Sequence, residues 1–227
     1  MVSVIWIAII ALNKFFMTRN IHFLISILIL GAISGCNSSK PKKSLENLKA
    51  AFISESAMTE KYEKYAQAAT LQGLDTLARL FIAVSKSERI HAVNHGKVIE
   101  KFGEEAGVLS GSIFEIKTSI ENLNEAVKSE TLDMQKVYQG YIRNAEQEKA
   151  PEIAKTFTWA WNCEKKHLRY FKLASLSLSK GNQKGVPFNW YICSTCGNLY
   201  SSSDLKDKCE FCLTGQDKFI GYINVKE

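Results

Sequence analysis

The sequence predicts an all-α four-helix bundle with one long crossover, followed by a small metal-knuckle domain. Three observations carry that expectation. Glu55 is followed 33 positions later by Glu88-x-x-His91, and Glu130 is followed 34 positions later by Glu164-x-x-His167, so one pattern occurs twice. Four long helical stretches lie between glycine and proline stop signals. Near the C-terminus, Cys193-x-x-Cys196 and Cys209-x-x-Cys212 form two knuckles twelve residues apart.

The first helix should run from about Leu45 to Leu71 and stop near Gly73, because glycine takes the left-handed position past a helix end at little steric cost. The second begins beyond Asp75, a good N-cap, and ends near Gly103. The third opens at Thr118, where Glu121 three residues on completes a capping box. The fourth starts with Pro151, whose missing N–H is not needed in a first turn, and ends before Gly181. Short links join the first helix to the second and the third to the fourth, so each pair is an antiparallel hairpin. The middle link differs. Residues 104–117 reach up to about 48 Å when extended, and a helix of this size is roughly 42 Å long. One long crossover is the ferritin-like arrangement, and it relates the two hairpins by a pseudo-twofold that matches the sequence repeat.

Residues three apart on a helix project from one face a turn apart, so each Glu-x-x-His can grip one metal ion. Two helices giving a Glu and two giving a Glu-x-x-His surround a pair of metals with carboxylates and imidazoles. Glu55, Glu88, His91, Glu130, Glu164 and His167 are therefore the expected ligands of two non-haem iron ions. Of the two remaining histidines, His22 falls in a targeting segment and His95 on the surface or behind the ligands. Without metal these carboxylates would repel one another in a low-dielectric core, so bundle stability should depend on metal. Cys163, beside Glu164, is expected to pack as a small apolar residue, and Trp159 and Trp161 to serve the core.

The chain has 227 residues and a net charge of +6, long enough for the bundle plus a smaller unit and too mildly basic to argue for nucleic acid. Residues 1–35 read as a signal peptide. From Met17, which is a candidate start, Arg19 precedes an apolar run from Phe23 to Ile33 that is too short to span a bilayer. Ile33-Ser34-Gly35-Cys36 resembles a lipobox, which makes Cys36 a lipid-modified mature N-terminus; an uncleaved anchor ending in an unmodified cysteine is the alternative. Either places the folded part outside the cytoplasm and tethered to a membrane, as a periplasmic lipoprotein in the first case. Residues 36–44 read as a tether, 45–180 as the bundle, 181–187 as a linker and 188–227 as the four-cysteine domain.

Four thiolates in two knuckles make a tetrahedral metal site, with Gly197 allowing the tight turn behind the first pair. Disulfides are the competing assignment for an exported protein.

Together, Glu55-Ser56, Glu88-Arg89-Ile90-His91-Ala92, Glu130-Thr131-Leu132-Asp133, Glu164-Lys165-Lys166-His167 and Cys193-Ser194-Thr195-Cys196-Gly197 resemble the rubrerythrin family over residues 45–225. These are non-haem iron proteins that join a ferritin-like di-iron bundle to a rubredoxin-like iron domain. The resemblance implies that Asp133 stands where the family has a further glutamate near the irons, and that Tyr62 and Tyr138 orient ligand carboxylates. It implies iron in Cys193, Cys196, Cys209 and Cys212, with zinc the alternative because the second knuckle, Cys209-Glu210-Phe211-Cys212, lacks the family's proline. The implied activity is reduction of hydrogen peroxide to water in oxidative stress defence, with dioxygen as another oxidant and an unidentified electron-donor protein. A diferrous pair gives both electrons for O–O cleavage at once, and an iron tetrathiolate relays them singly. A ferroxidase or iron-handling lipoprotein with a structural zinc is the alternative. Family members form homodimers in which the rubredoxin-like domain of one subunit approaches the di-iron site of another.

Overall fold

The computed structural model describes residues 40–107 and 113–222. The expectations about secretion and lipidation, Cys36 included, concern residues outside these. Five α-helical segments build four rods: α1 (Lys42–Leu71), α2 (Asp75–Lys101), α3 (Ser119–Leu132) continuing through a π-helical turn (Asp133–Val137) into α4 (Tyr138–Gln147), and α5 (Pro151–Ser179). Strands β1 (Trp190–Cys193), β2 (Leu199–Ser201) and β3 (Phe219–Tyr222) follow, forming one antiparallel sheet in the order β2-β1-β3.

The helix ends follow local chemistry. The Thr118–Glu121 capping box forms, and Pro151 is in the first turn of α5. Gly73, Gly103 and Gly181 terminate helices at positive φ, while Lys149 takes that conformation after α4 with φ 54°. Two boundaries differ from expectation. Asp75 is the first residue of α2 rather than its cap, with Leu74 at the N-cap. Helix α1 starts at Lys42, inside the stretch read as tether, because a distant carboxylate supplies its cap. Glu148 accepts from the Lys43 and Ser44 amides at 3.1 and 2.8 Å and from the Ser44 hydroxyl at 2.6 Å.

The described parts of the crossover, residues 104–107 and 113–118, lie beside the two ends of α1. The crossover's first described end is tied by Lys49–Glu104 at 3.1 Å, and its far end by the Ser119 amide, which donates to Gln72 Oε1 at 3.2 Å. The third rod therefore starts at the C-terminal end of α1 and finishes at its N-terminal end.

Two apolar clusters fill the bundle. One holds Tyr62, Tyr65, Leu80, Phe81, Leu123 and Phe171; the other holds Leu48, Ile99, Tyr138, Ile153 and Phe157. The residues between them along every rod are the charged ones of the repeat. The first cluster also includes Val186, Trp190, Ile192 and Leu199. The segment read as a linker and the strands beyond it thus share a core with the helices. The Trp190 ring meets Tyr170 edge-on at 4.6 Å.

Candidate metal centres

Glu55, Glu88, His91, Glu130, Glu164 and His167 are all buried and converge at mid-bundle. Their oxygen and nitrogen atoms form two overlapping groups, one of Glu55, Glu88, His91 and Glu164 and one of Glu88, Glu130, Glu164 and His167. Glu88 and Glu164 belong to both. Glu88 turns one oxygen to His91 Nδ1 at 3.0 Å and the other to His167 Nδ1 at 3.2 Å; Glu164 does the same at 3.2 and 3.1 Å. Glu55 and Glu130 close one group each, at 3.7 Å from His91 Nδ1 and 3.5 Å from His167 Nδ1. Two terminal carboxylates, two shared ones and two imidazoles make a pair of neighbouring cation cages.

Two tyrosines hold the terminal carboxylates crosswise. Tyr62, on α1, donates to Glu130 Oε1 at 2.5 Å, and Tyr138, on α4, donates to Glu55 Oε1. Asp133 lies in neither group. It opens the π turn, half-buried, and burial followed by repulsion from Glu55 and Glu130 pushes its carboxyl up to about 8. The π turn itself was not anticipated. Its Met134 carbonyl accepts from the Trp161 indole N–H at 2.8 Å, which gives that tryptophan a role beyond packing.

A pair of divalent cations fits these residues. Glu130 Oε2 and Glu164 Oε1 are buried and accept no hydrogen bond, the condition of ligand atoms awaiting a cation. Burial, followed by repulsion from Glu55, pushes Glu88 up to about 7; burial and then Glu164 push Glu130 up to about 8. Burial acts the same way on Glu55, but hydrogen bonding and charge from His91 outweigh it and bring Glu55 down to about 2. Burial disfavours charge on His91 and His167, yet the surrounding carboxylates hold both well above the usual imidazole value. Four carboxylates carry the charge that two divalent ions neutralise.

Each histidine presents Nδ1 to the cages and Nε2 outward, where Ser87 waits. The Ser87 hydroxyl donates to the Gly197 carbonyl at 2.6 Å, so its oxygen accepts from His167 Nε2–H at 2.9 Å, with His91 Nε2 at 3.5 Å. That hydrogen bond leaves the Nδ1 lone pair of His167 free for a metal. The knuckle thereby rests on the imidazoles of its own chain. Gly197 is required there twice over. Its φ is +81°, and a Cβ would stand 2.7 Å from His91 Nε2. Asn94 donates to the Thr195 carbonyl at 2.8 Å, and the buried Cys163 thiol donates to the Cys196 carbonyl at 3.3 Å. Cys163 is thus a link between bundle and knuckle rather than simple packing. Lys166–Glu210 at 2.6 Å and Arg169–Asp204 at 2.9 Å complete the contact.

Cys193, Cys196, Cys209 and Cys212 form the other group, and none of them is in a disulfide. Their sulfurs all lie within 4.8 Å of one another, with Cys193–Cys212 at 3.4 Å and Cys196–Cys209 at 3.5 Å. A disulfide needs about 2.05 Å, whereas a tetrahedron with metal–sulfur bonds of about 2.3 Å has edges of about 3.8 Å. The sulfurs fit the tetrahedron. Among residues with no anticipated role, Ser87 has a signal in hindsight: it lies four positions before His91 on the same helix face.

Fold and cages together define a ferritin-like dimetal carboxylate protein with an appended four-cysteine site. The family model described as Rubrerythrin matches residues 46–175, more than half of the chain. The chain belongs to the rubrerythrin family. It is 28% identical to Rubrerythrin-2 of Clostridium acetobutylicum over 185 residues, covering 82% of this chain and 100% of that one. Identity to Nigerythrin of Nitratidesulfovibrio vulgaris is 29% over 181 residues, 78% of this chain and 86% of the other. A solved structure of nigerythrin in its fully reduced, all-ferrous state superposes with a TM-score of 0.70 at 27% identity, covering 79% of this chain and 86% of that one.

Proposed function

We propose that this protein is an oxidoreductase that reduces hydrogen peroxide to two waters, taking up two electrons and two protons, with the electrons entering through the C-terminal four-cysteine centre. The observation that carries this is the Ser87–Gly197 contact, which joins the imidazoles of the cages to the knuckle of Cys196 within one chain. Glu55, Glu88, His91, Glu130, Glu164 and His167 would hold two ferrous ions, which would supply the electron pair for O–O cleavage, and Cys193, Cys196, Cys209 and Cys212 would hold an iron suited to carrying reducing equivalents one at a time. The chain's own residues do the rest. Glu88 and Glu164 span the two cages, Tyr62 and Tyr138 fix Glu130 and Glu55, and the apolar clusters on either side exclude bulk water. A path runs from Cys196 through the main chain to the Gly197 carbonyl, then to the Ser87 hydroxyl and the His167 ring.

The chain is, on the same reading, an exported lipoprotein in oxidative stress defence, held to a membrane through Cys36. Fatty-acid labelling of the wild type that is lost in Cys36→Ala is expected; an unlabelled wild type would overturn the lipid anchor.

The activity is tested on anaerobically purified, reduced protein by metal analysis and stopped-flow mixing with peroxide or dioxygen. Two metals in the bundle, strong visible thiolate-to-iron bands once the four-cysteine site is oxidised, and reoxidation at least tenfold faster by peroxide than by dioxygen are expected. A four-cysteine site that stays colourless after oxidation, with turnover of added ferrous ion by dioxygen instead, would replace this function with iron handling around a structural zinc.

A further inference from the structure

His95 is fully buried and bonded on both sides. Its Nδ1 lies 3.0 Å from Thr156 Oγ1 and its Nε2 lies 3.1 Å from Tyr138 Oη. The direction of each bond follows from the last one. Tyr138 spends its only proton on Glu55, so its oxygen accepts from His95 Nε2–H. A neutral imidazole carries one N–H, so Nδ1 is bare and accepts from the Thr156 hydroxyl. Every hydrogen in the row therefore points towards the cages. The outer member, Thr156, lines a surface cavity of about 250 Å³ that also touches the exposed Lys97, Lys101, Glu152 and Lys155.

We propose that Thr156, His95 and Tyr138 form a proton relay that connects this solvent cavity with the Glu55 edge of the dimetal cages. Thr156 gives its proton to His95 Nδ1 while accepting one from water in the cavity. The imidazole releases its Nε2 proton to Tyr138, whose hydroxyl proton passes on towards Glu55 Oε1. One proton enters and one leaves, no bond between heavy atoms changes and no electron moves. Each member receives as it gives, so none of the three has to hold a charge. Burial keeps the ring neutral, bringing His95 down to about 4, with Glu55 opposing that shift and His91 adding to it. Peroxide reduction consumes two protons at a site sealed by apolar clusters, and this is a built route for them. The need for protons rests on the reductive function proposed above; the connectivity does not.

Two measurements test the relay, one of them independent of turnover. In zinc-loaded protein, which is redox-inert, nitrogen-15 histidine NMR reports solvent exchange of the His95 ring N–H. Exchange should slow at least tenfold in Thr156→Val; an unchanged rate overturns the relay. In iron-loaded protein, His95→Gln keeps a donor and an acceptor in place and lacks a ring that can pass a proton through. Peroxide-driven reoxidation should slow at least tenfold at unchanged metal content and melting temperature. Wild-type reoxidation by this variant makes His95 a packing residue and overturns the proposal. Should the wild type ignore peroxide altogether, the proposed function falls, and the NMR measurement alone decides the relay.

Discussion

The Ser87 hydroxyl and the Gly197 carbonyl stand 2.6 Å apart, the hydrogen bond that ties the knuckle to the ligand imidazoles of the dimetal bundle. Because the same oxygen accepts from His167, one serine sets the tautomer of a ligand and seats the neighbouring domain.

Ser87→Ala leaves the Gly197 carbonyl and the outer nitrogen of His167 without their partner. Leaving such groups buried and unsatisfied costs about 1–3 kcal/mol, and loss of an outer hydrogen bond to a ligand weakens metal binding about 10–100-fold. Denaturant unfolding and competitive chelator titration should show both effects. Wild-type metal affinity in the variant would show that Ser87 does not orient the imidazole.

Gly197→Ala combines two penalties. The left-handed conformation costs roughly 1–2 kcal/mol for a residue with a Cβ, and that Cβ would press on the His91 ring. The variant should melt lower and become sensitive to proteolysis in residues 181–189 as the knuckle lifts. Protection equal to wild type would contradict the close seating.

Metal removal should make stability fall as pH rises from about 5 to 8. In the metal-free cages Glu88 and Glu130 sit up at about 7 and about 8. A raised folded-state value stabilises the protein below the ordinary carboxylate range, and the contribution disappears as pH climbs through the raised value. The raised His91 and His167 act in the same sense. Metal binding needs the deprotonated ligands and strengthens with pH. Calorimetry with and without zinc should therefore show a gap in melting temperature that widens between pH 5 and pH 8; a constant gap would refute the linkage.

Glu148→Ala removes the side-chain cap that the described residues supply to α1, whose own N-cap is Pro41. A loss of about 1 kcal/mol is expected from the lost cap, measured by urea unfolding. Burial raises the Glu148 carboxyl, but hydrogen bonds from Ser44 and Lys43 outweigh that and hold it below its ordinary value. Its contribution is present above the unfolded-state value and lost as pH falls through the folded one. The difference between variant and wild type should vanish in acid.

The ligand cages were legible because each needs spacings that only a helix makes meaningful, and Glu88-x-x-His91 and Glu164-x-x-His167 satisfy them twice. The π turn was written there too. Glu55 and Tyr62 are seven residues apart, about 700° of helix and so aligned to within roughly 20°. Glu130 and Tyr138 are eight apart, which in a plain α-helix leaves them about 80° out of phase. The extra residue is absorbed by Asp133–Val137, and Tyr138 reaches the cage. Glu148 capping α1 and Trp190 joining the bundle core left no such trace, because partners a hundred residues apart follow no local period. His95 was visible as a residue, but its partners come from the third and fourth rods.

Trp190, Ile192 and Leu199 complete a cluster begun by Phe81 and Phe171. A bundle cut off after α5 would therefore present bare hydrocarbon where those side chains had lain and would tend to self-associate. Nor is a knuckle from a relative a cassette to be exchanged at residues 181–187. Its greasy underside would have to match this hollow, so the two parts constrain each other's drift over generations.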